Sequence, residues 1–228
     1  MKQVFLTLLI VLGVFIAYGQ ERTVAEAIDT KNVISLESNN LTLFLEPVNK
    51  SGGLPLMEAL SKRKTDRNFS SSEIDFNLLG QLLWAANGIN RENENKKTVP
   101  SARNAQEIDL YAFKEDGIWA YKPKGHQLVL LKKGDYRKQV SNQPFAATAP
   151  VILVLVANYD KMKNFSAEDK VFYSTIDCGY ICQNVYLFAA SENLATVTIG
   201  QINREAVAKL LNIKNGKVVI AQPIGYAE

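Results

Sequence analysis

Apolar residues near the middle of the first half of the chain recur with the period of an α-helix. Those from Ile74 to Leu82 are spaced four residues apart, which places them on one face of a helix. Ser70, followed three residues later by Glu73, has the spacing of a capping box, and this predicts that the helix begins at Ser70. Asn87-Gly88 is typical of a helix C-terminus. The pattern therefore predicts a helix over 70–87.

A longer helix is predicted from Ala167 to Ser191. Small and apolar residues form one seam along it, at Cys178, Cys182, Val185 and Ala189. Two cysteines one helical turn apart have a geometry that suits a disulfide poorly. We therefore expect two buried thiols, with oxidation as the alternative in an exported protein.

Short apolar runs between and after these helices predict β-strands. The run Val151–Val156 shows no alternation, which indicates a strand buried on both faces. The predicted strands are 109–113, 117–121, 127–131, 150–157, 195–199 and 217–221. Helices and strands mixed without regular alternation indicate an α+β fold.

Composition excludes several classes of protein. The chain has 228 residues, 47% of them hydrophobic, and a net charge of +3. Such a chain is globular rather than disordered, and its charge is too small to indicate nucleic-acid binding. The single histidine, His126, argues against a His-rich metal site and is predicted at an exposed hairpin turn. We expect no metal and no nucleic acid partner.

The N-terminus has the build of a secretory signal. Lys2 precedes an uncharged run over 4–17, and Ala17 and Gly19 would stand at the −3 and −1 positions of a cleavage site. The prediction is an exported protein, periplasmic or secreted, with an uncleaved membrane anchor as the alternative. The expected organisation is a signal peptide over 1–19, a lead-in over 20–52 and one domain over 53–228.

Three segments could carry chemistry. Cationic and hydroxyl side chains between Arg63 and Arg67 suit a phosphate, although a solvated cationic loop has the same composition. The segment Pro100–Gln106 could lay backbone and amide groups along a polar heterocycle, or form an ordinary turn. Gly200, in the segment 198–202, permits close backbone approach to a ligand, or a simple strand-to-helix turn.

The order of these segments resembles the FMN-dependent nitroreductase family. Residues 63–69 (RKTDRNF) are similar to the family's R-R-S-x-R-x-F, and residues 100–106 (PSARNAQ) to its P-S-x-x-N-x-Q. An acidic residue, Gly and Gln-Asn follow within 177–184, and the end of the chain over 223–226 is also similar. The resemblance covers 53–226.

The resemblance implies a nitroreductase-like α+β fold with a central, mainly antiparallel sheet flanked by helices. It also implies a homodimer that binds two FMN at its interface. By match, the residues that hold the FMN phosphate and ribityl chain are Arg63, Lys64, Thr65 and Arg67. Those that lie against the ring from the other subunit are Pro100, Ser101, Ala102 and Asn104. Those with backbone near flavin N5 are Ile199, Gly200 and Gln201.

Some positions depart from the family pattern. Lys64 stands in place of Arg, Thr65 in place of Ser, and Gln201 where many members have a second Gly. Lysine keeps the charge but loses the planar fork of arginine. Arg103, beside the expected ring site, is expected to point to solvent.

The implied activity is that of an exported oxidoreductase in which the cofactor carries the hard chemistry. Hydride would pass from a reduced donor, NAD(P)H or another, through FMN N5 to a small organic acceptor such as a nitroaromatic or quinone. One alternative is a secreted nitroreductase-fold binding protein without turnover. Another is the azoline-oxidising, SagB/ThcOx-type peptide dehydrogenase branch, to which the Pro100 segment is close. A Lys-Tyr pair is expected there before the long helix, whereas Asn164 follows Lys163.

Overall fold

The central element is a seven-stranded sheet. A computed structural model describes residues 41–228, so the predicted signal peptide and residues 20–40 of the lead-in lie outside it. The strands of this sheet are β1 (Thr42–Phe44), β4 (Ile108–Phe113), β5 (Gly117–Lys122), β6 (Gln127–Lys133), β7 (Val151–Asn158), β8 (Leu194–Thr196) and β9 (Gly216–Tyr226). Their order across the sheet is β1-β6-β5-β4-β7-β9-β8. All neighbouring strands are antiparallel, which confirms the predicted kind of sheet.

The missing alternation in β7 is explained by its place in the sheet. The strand is paired on both sides, with β4 and with β9, and its residues from Val151 to Ala157 are buried. Its odd-numbered side chains belong to one hydrophobic cluster, and Ile152, Val154 and Val156 belong to another. Burial on both faces is therefore reached here in an antiparallel sheet rather than a parallel one.

Helices cover the two faces of the sheet. They are α1 (Leu56–Lys62), α2 (Phe76–Asn87), α3 (Arg137–Val140), α4 (Pro144–Thr148), α5 (Ala167–Ser191) and α6 (Arg204–Leu210). α2 and α5 pack on one face, and α3, α4 and α6 on the other. A separate hairpin of β2 (Ile89–Arg91) and β3 (Lys96–Lys97) follows α2. In residues 41–228, no helix has both the length and the apolarity needed to cross a membrane.

α5 has the bounds predicted from the sequence. Ser166 caps its N-terminus by accepting a hydrogen bond from the Asp169 amide at 3.0 Å. All four seam residues are buried, and Cys178 and Cys182 are free thiols. Burial raises the pKa of the Cys182 thiol to about 12, so it is protonated at neutral pH.

The predicted start of α2 is wrong. The helix begins at Phe76, and the Asp75 carboxylate caps it by accepting from the amides of Asn77 (2.9 Å) and Leu78 (3.0 Å). Residues 70–75 are not helical, and the Ser70 amide, from which Glu73 would accept in a capping box, donates instead to the Tyr226 carbonyl at the end of β9. The pairing with the sheet therefore overrides the capping-box spacing.

His126 is less exposed than the sequence predicts. It lies in the turn between β5 and β6 with a positive φ of 47°, and its side chain is half-buried. Its Nδ1 lies 2.9 Å from the Tyr121 hydroxyl. Burial lowers the pKa of the imidazole, so the neutral form is favoured at this position.

The cap gives a direct test of the corrected helix start. We expect Asp75→Ala to lower the free energy of unfolding by about 1 kcal/mol, because two amides lose their acceptor. Glu73→Ala, which removes an exposed carboxylate two residues away, is expected to change it by less than about 0.5 kcal/mol. Urea denaturation of both variants measures the difference. A larger loss of unfolding free energy with Glu73→Ala than with Asp75→Ala would support the capping box at Ser70 instead.

Candidate functional site

The cationic loop 63–67 lies alongside the segment 196–201, and Tyr186 of α5 joins them. The Asp66 amide donates to the Thr196 carbonyl at 3.0 Å. The Tyr186 hydroxyl lies 3.2 Å from the Thr65 hydroxyl and accepts from the Thr198 amide at 2.9 Å. One side chain of α5 thus fixes both segments. No sequence signal identified Tyr186, since a tyrosine on a helix is usually part of the core.

Two arginines in this region keep their charge unpaired. The Arg63 guanidinium lies 5.3 Å from the centre of the Tyr186 ring, and that of Arg67 lies 5.6 Å from the Phe145 ring. Neither forms an ion pair with a carboxylate of residues 41–228. Their cation–π contacts orient the planar groups and leave N–H donors for an anionic ligand.

Lys64 differs from the arginines because it has a carboxylate partner. Its Nζ lies 2.8 Å from Asp66, and this hydrogen bond lowers the pKa of that carboxyl. The Lys64 side chain is 70% exposed, so the pair is solvent-screened and weak.

The segment Ile199–Gln201 presents backbone beside this cationic loop. Ile199 is buried and pairs with Ala221 through hydrogen bonds of 2.8 and 3.2 Å. The Gln201 carbonyl accepts from the Ser141 hydroxyl at 2.7 Å. Between them Gly200 is exposed, and a Cβ there would meet no atom within 4 Å. The backbone is fixed on both sides of Gly200, and the space next to Gly200 is open.

The Pro100 segment is anchored elsewhere on α5. The Ala102 amide donates to the Asp177 carboxylate at 3.0 Å. Beyond it Arg103, Asn104 and Gln106 have positive φ values of 52°, 55° and 51°. Asparagine tolerates this region, whereas arginine and glutamine adopt it at a cost in free energy. The segment is therefore held in an unfavourable backbone conformation by its contacts.

Side chains supply those contacts. The Ser101 hydroxyl accepts from the Gln106 amide at 2.9 Å, which closes the turn. Arg103 is exposed, as expected, but it is also held: it donates to the Asn164 carbonyl at 3.0 Å and lies 4.7 Å from the Phe165 ring centre. These groups fix the segment without any ligand.

The predicted site residues thus form two separate groups within one chain. One group belongs to the two segments that Tyr186 joins: Arg63, Lys64, Thr65, Arg67, Ile199, Gly200 and Gln201. The other belongs to the segment that Asp177 anchors: Pro100, Ser101, Ala102 and Asn104. Asp177 and Tyr186 are nine residues apart on α5, which corresponds to about 14 Å along the helix. Within residues 41–228, no hydrogen bond joins the two groups.

A buried acidic pair lies behind the Pro100 segment. Glu107 is fully buried, and its carboxylate oxygens receive no hydrogen bond from another residue of the described chain. Burial raises the pKa of Glu107 to about 7, and the negative charge of Asp177 acts in the same direction. Sequence reasoning missed Glu107 because an acidic residue before a strand carries no sign of burial.

Lys97 is a second buried ionisable residue that the sequence does not reveal. It is 9% exposed, and burial lowers the pKa of its ammonium group to about 8. A cavity of about 10 Å³, lined in part by Lys97, Glu107 and Asp177, has room for about one water molecule. Across residues 41–228, no cluster of three or more His, Cys, Asp or Glu side chains is arranged to hold a metal ion.

Comparison with known proteins identifies relatives of this chain. A candidate nitroreductase of Methanocaldococcus jannaschii is 29% identical over 182 residues, which cover 75% of this chain and 91% of the relative. The solved structure of a candidate nitroreductase from Ralstonia eutropha is 30% identical, with a TM-score of 0.78 over 86% of this chain and 93% of the other.

A more distant solved structure has the same fold. The NADPH:FMN oxidoreductase of Vibrio harveyi, solved with NAD+, is 18% identical and has a TM-score of 0.57 over 76% of this chain and 69% of the other. The model of the nitroreductase family matches residues 60–226, which include both groups of site residues. With a match over more than half of its length, this chain belongs to the nitroreductase family.

Proposed function

We propose that this chain is an exported, homodimeric, FMN-dependent oxidoreductase. It would transfer hydride from a reduced donor, NAD(P)H or another, through FMN N5 to a small organic acceptor such as a nitroaromatic or quinone. The observation that carries the proposal is the pair of arginines, Arg63 and Arg67, which lack carboxylate partners in the described chain beside the open backbone of Gly200. The Vibrio harveyi relative, named as an NADPH:FMN oxidoreductase, supports the cofactor and the donor class.

The residues present fit FMN. A phosphate needs positive charge and hydrogen-bond donors, which Arg63, Arg67 and the Thr65 hydroxyl supply together. A flat ring needs backbone that it can approach closely, and Gly200 offers it because no side chain fills the space. A second set of contacts for the ring would come from the partner's copy of the Pro100 segment.

The work of the chain's own residues is to bind and to orient. When bound, FMN supplies the two-electron chemistry between donor and acceptor. Tyr186 holds the cationic loop 63–67 and the segment 198–201 in a fixed relation to each other, so one side chain would position both ends of the cofactor. The pairing of Ile199 with Ala221 keeps the backbone next to Gly200 from moving.

Exposed apolar side chains on the helices support the homodimer. On α5, Phe172 is 58% exposed, and Val171, Ile176 and Tyr180 are also exposed. On α1, Met57 is 76% exposed. Exposed apolar patches of this kind commonly mark protein–protein interfaces. A second copy packed on α5 would cover these side chains and could bring its Pro100 segment to the cationic loop 63–67.

Export remains a proposal based on the N-terminal sequence. The apolar run over 4–17 and the small residues Ala17 and Gly19 support cleavage before Gln20. Intact-mass measurement of the protein from fractionated cells is expected to find it outside the cytoplasm and starting at Gln20. A full-length chain retained in the membrane would favour the anchor.

The flavin site is tested by removing its two arginines. We expect Arg63→Ala and Arg67→Ala each to weaken FMN binding about 10-fold or more, because a charge-assisted contact to the phosphate is lost. Lys62→Ala is the matched control, since Lys62 precedes Arg63 but pairs with Glu58 at 2.8 Å. Fluorescence titration with FMN and the absorption spectrum after desalting measure affinity and stoichiometry.

Two outcomes would count against this reading. An equal loss of affinity in all three variants would show a general charge effect instead of a phosphate site. A folded dimer that remains colourless after incubation with FMN would favour the binding protein without turnover.

The shared site is tested by disrupting the apolar face of α5. We expect Phe172→Glu to give a monomer in analytical ultracentrifugation and to lose FMN as well, because the partner completes the site. Leu131→Glu is the control: Leu131 is also an exposed apolar residue (42%), but it lies on β6. A Phe172→Glu monomer that binds one FMN per chain with unchanged affinity would refute the shared site.

A further inference from the structure

A cleft that the proposed phosphate site does not use lies beside the Pro100 segment. Its volume is about 410 Å³, within the range typical of small-molecule sites. The walls come from β3, from β4, from the turn between β5 and β6, and from the residues that follow Pro100. Lys97, Lys124 and Lys161 line it, whereas Asp109 is the one acidic residue among its described lining residues.

The charges in this cleft do not balance. Lys161 is neutralised by Asp109, whose carboxylate lies 2.7 Å from its Nζ. Lys97 and Lys124 form no ion pair with a carboxylate of residues 41–228. Two positive charges therefore remain, one on an exposed side chain and one on a buried side chain.

The buried charge of Lys97 is the informative one. An exposed lysine is solvated by water, but Lys97 is only 9% exposed as a residue, so its side chain has lost much of that solvation. The acidic residues whose charge acts on Lys97 are Asp109 and Glu107. Asp109 is already paired with Lys161, and burial favours the neutral form of Glu107. A buried cation is costly unless an anion accompanies it, and the cleft has room for one.

We propose that this cleft binds a small organic carboxylate, with Lys97 as its charge partner. Lys124 at the exposed rim adds attraction. In the same wall, the Asn104 amide oxygen accepts from Gln106 at 3.2 Å, and its NH2 group offers the ligand a hydrogen-bond donor. Asn104 also belongs to the segment proposed to lie against the FMN ring. The juxtaposition of this ligand with FMN rests on the proposed function, whereas carboxylate binding does not.

Ionisation makes the binding depend on pH. Lys97, with a pKa of about 8, loses its charge between pH 7 and 9, and Glu107, whose pKa burial raises, gains its negative charge as the pH rises. Both changes weaken the attraction for an anion as the pH rises. Of the other charged groups, Lys161 and Asp109 neutralise each other, and burial keeps the Tyr121 hydroxyl protonated in this range.

The test compares two probes that differ in charge. Benzoate and benzyl alcohol have nearly the same shape, and calorimetric titration into the purified full-length chain measures their affinities at pH 7 and pH 9. At pH 7, we expect benzoate to bind at least about 10-fold more tightly than benzyl alcohol. At pH 9, we expect the affinity for benzoate to be lower than at pH 7. FMN-free and FMN-incubated samples are titrated separately, so a failure to bind flavin leaves this test intact.

Variants locate the binding. Lys97→Met is expected to weaken benzoate binding about 10-fold or more, and Lys124→Gln to weaken it by a smaller factor that still reports on the cleft if Lys97→Met fails to fold. Lys133→Gln, which removes an exposed lysine at the end of β6, is the matched control and is expected to have no effect. Arg63→Ala is expected to have none either, because the phosphate site is separate.

Three results would overturn the proposal. One is equal affinity for benzoate and benzyl alcohol in the unmodified chain. Another is unchanged benzoate affinity in both cleft variants. The third is a loss in Arg63→Ala as large as that in Lys97→Met, which would place the anion in the phosphate site instead.

Discussion

The burial of β7 on both faces is the constraint on which the rest of the structure depends. A strand whose side chains are apolar in both directions must be covered twice, so the sheet needs a helical layer on each side. On one side the cover is α5, which spans 25 residues. A helix of that length reaches beyond the core, and its polar side chains can then organise loops at the surface.

Two polar side chains of α5 hold the loop segments that carry the predicted site residues. Asp177 holds the Pro100 segment through the Ala102 amide, and Tyr186 holds the cationic loop and the segment around Gly200. Both anchors belong to one helix whose seam packs in the core, and Asp177 is buried beside that seam. The separation of the two segments is therefore set by packing, and a ligand cannot change it without disturbing the core.

The sequence predicts the parts of the fold whose signals are local. α5, β7 and the loops around Arg63 and Gly200 follow from periodicity, apolar runs and motif spacing. The start of α2 was missed because pairing of Ser70 with the end of β9 is a tertiary contact. Burial of Lys97 and Glu107 was missed for the same reason: a charged residue has the same local sequence signal whether the fold exposes it or encloses it.

Gly200 has a consequence for how this chain can diverge. Its φ is not positive and the space beside it is open, so the fold itself does not require glycine there. Most positions that lose their glycine lose stability, and selection removes the change irrespective of function. At Gly200 a side chain would meet no atom of the described chain within 4 Å, so a ring bound as proposed above would be the group that opposes it. In descendants of this chain, the residue at position 200 would therefore show whether a ligand is still bound there. It would do so independently of whether the fold is kept.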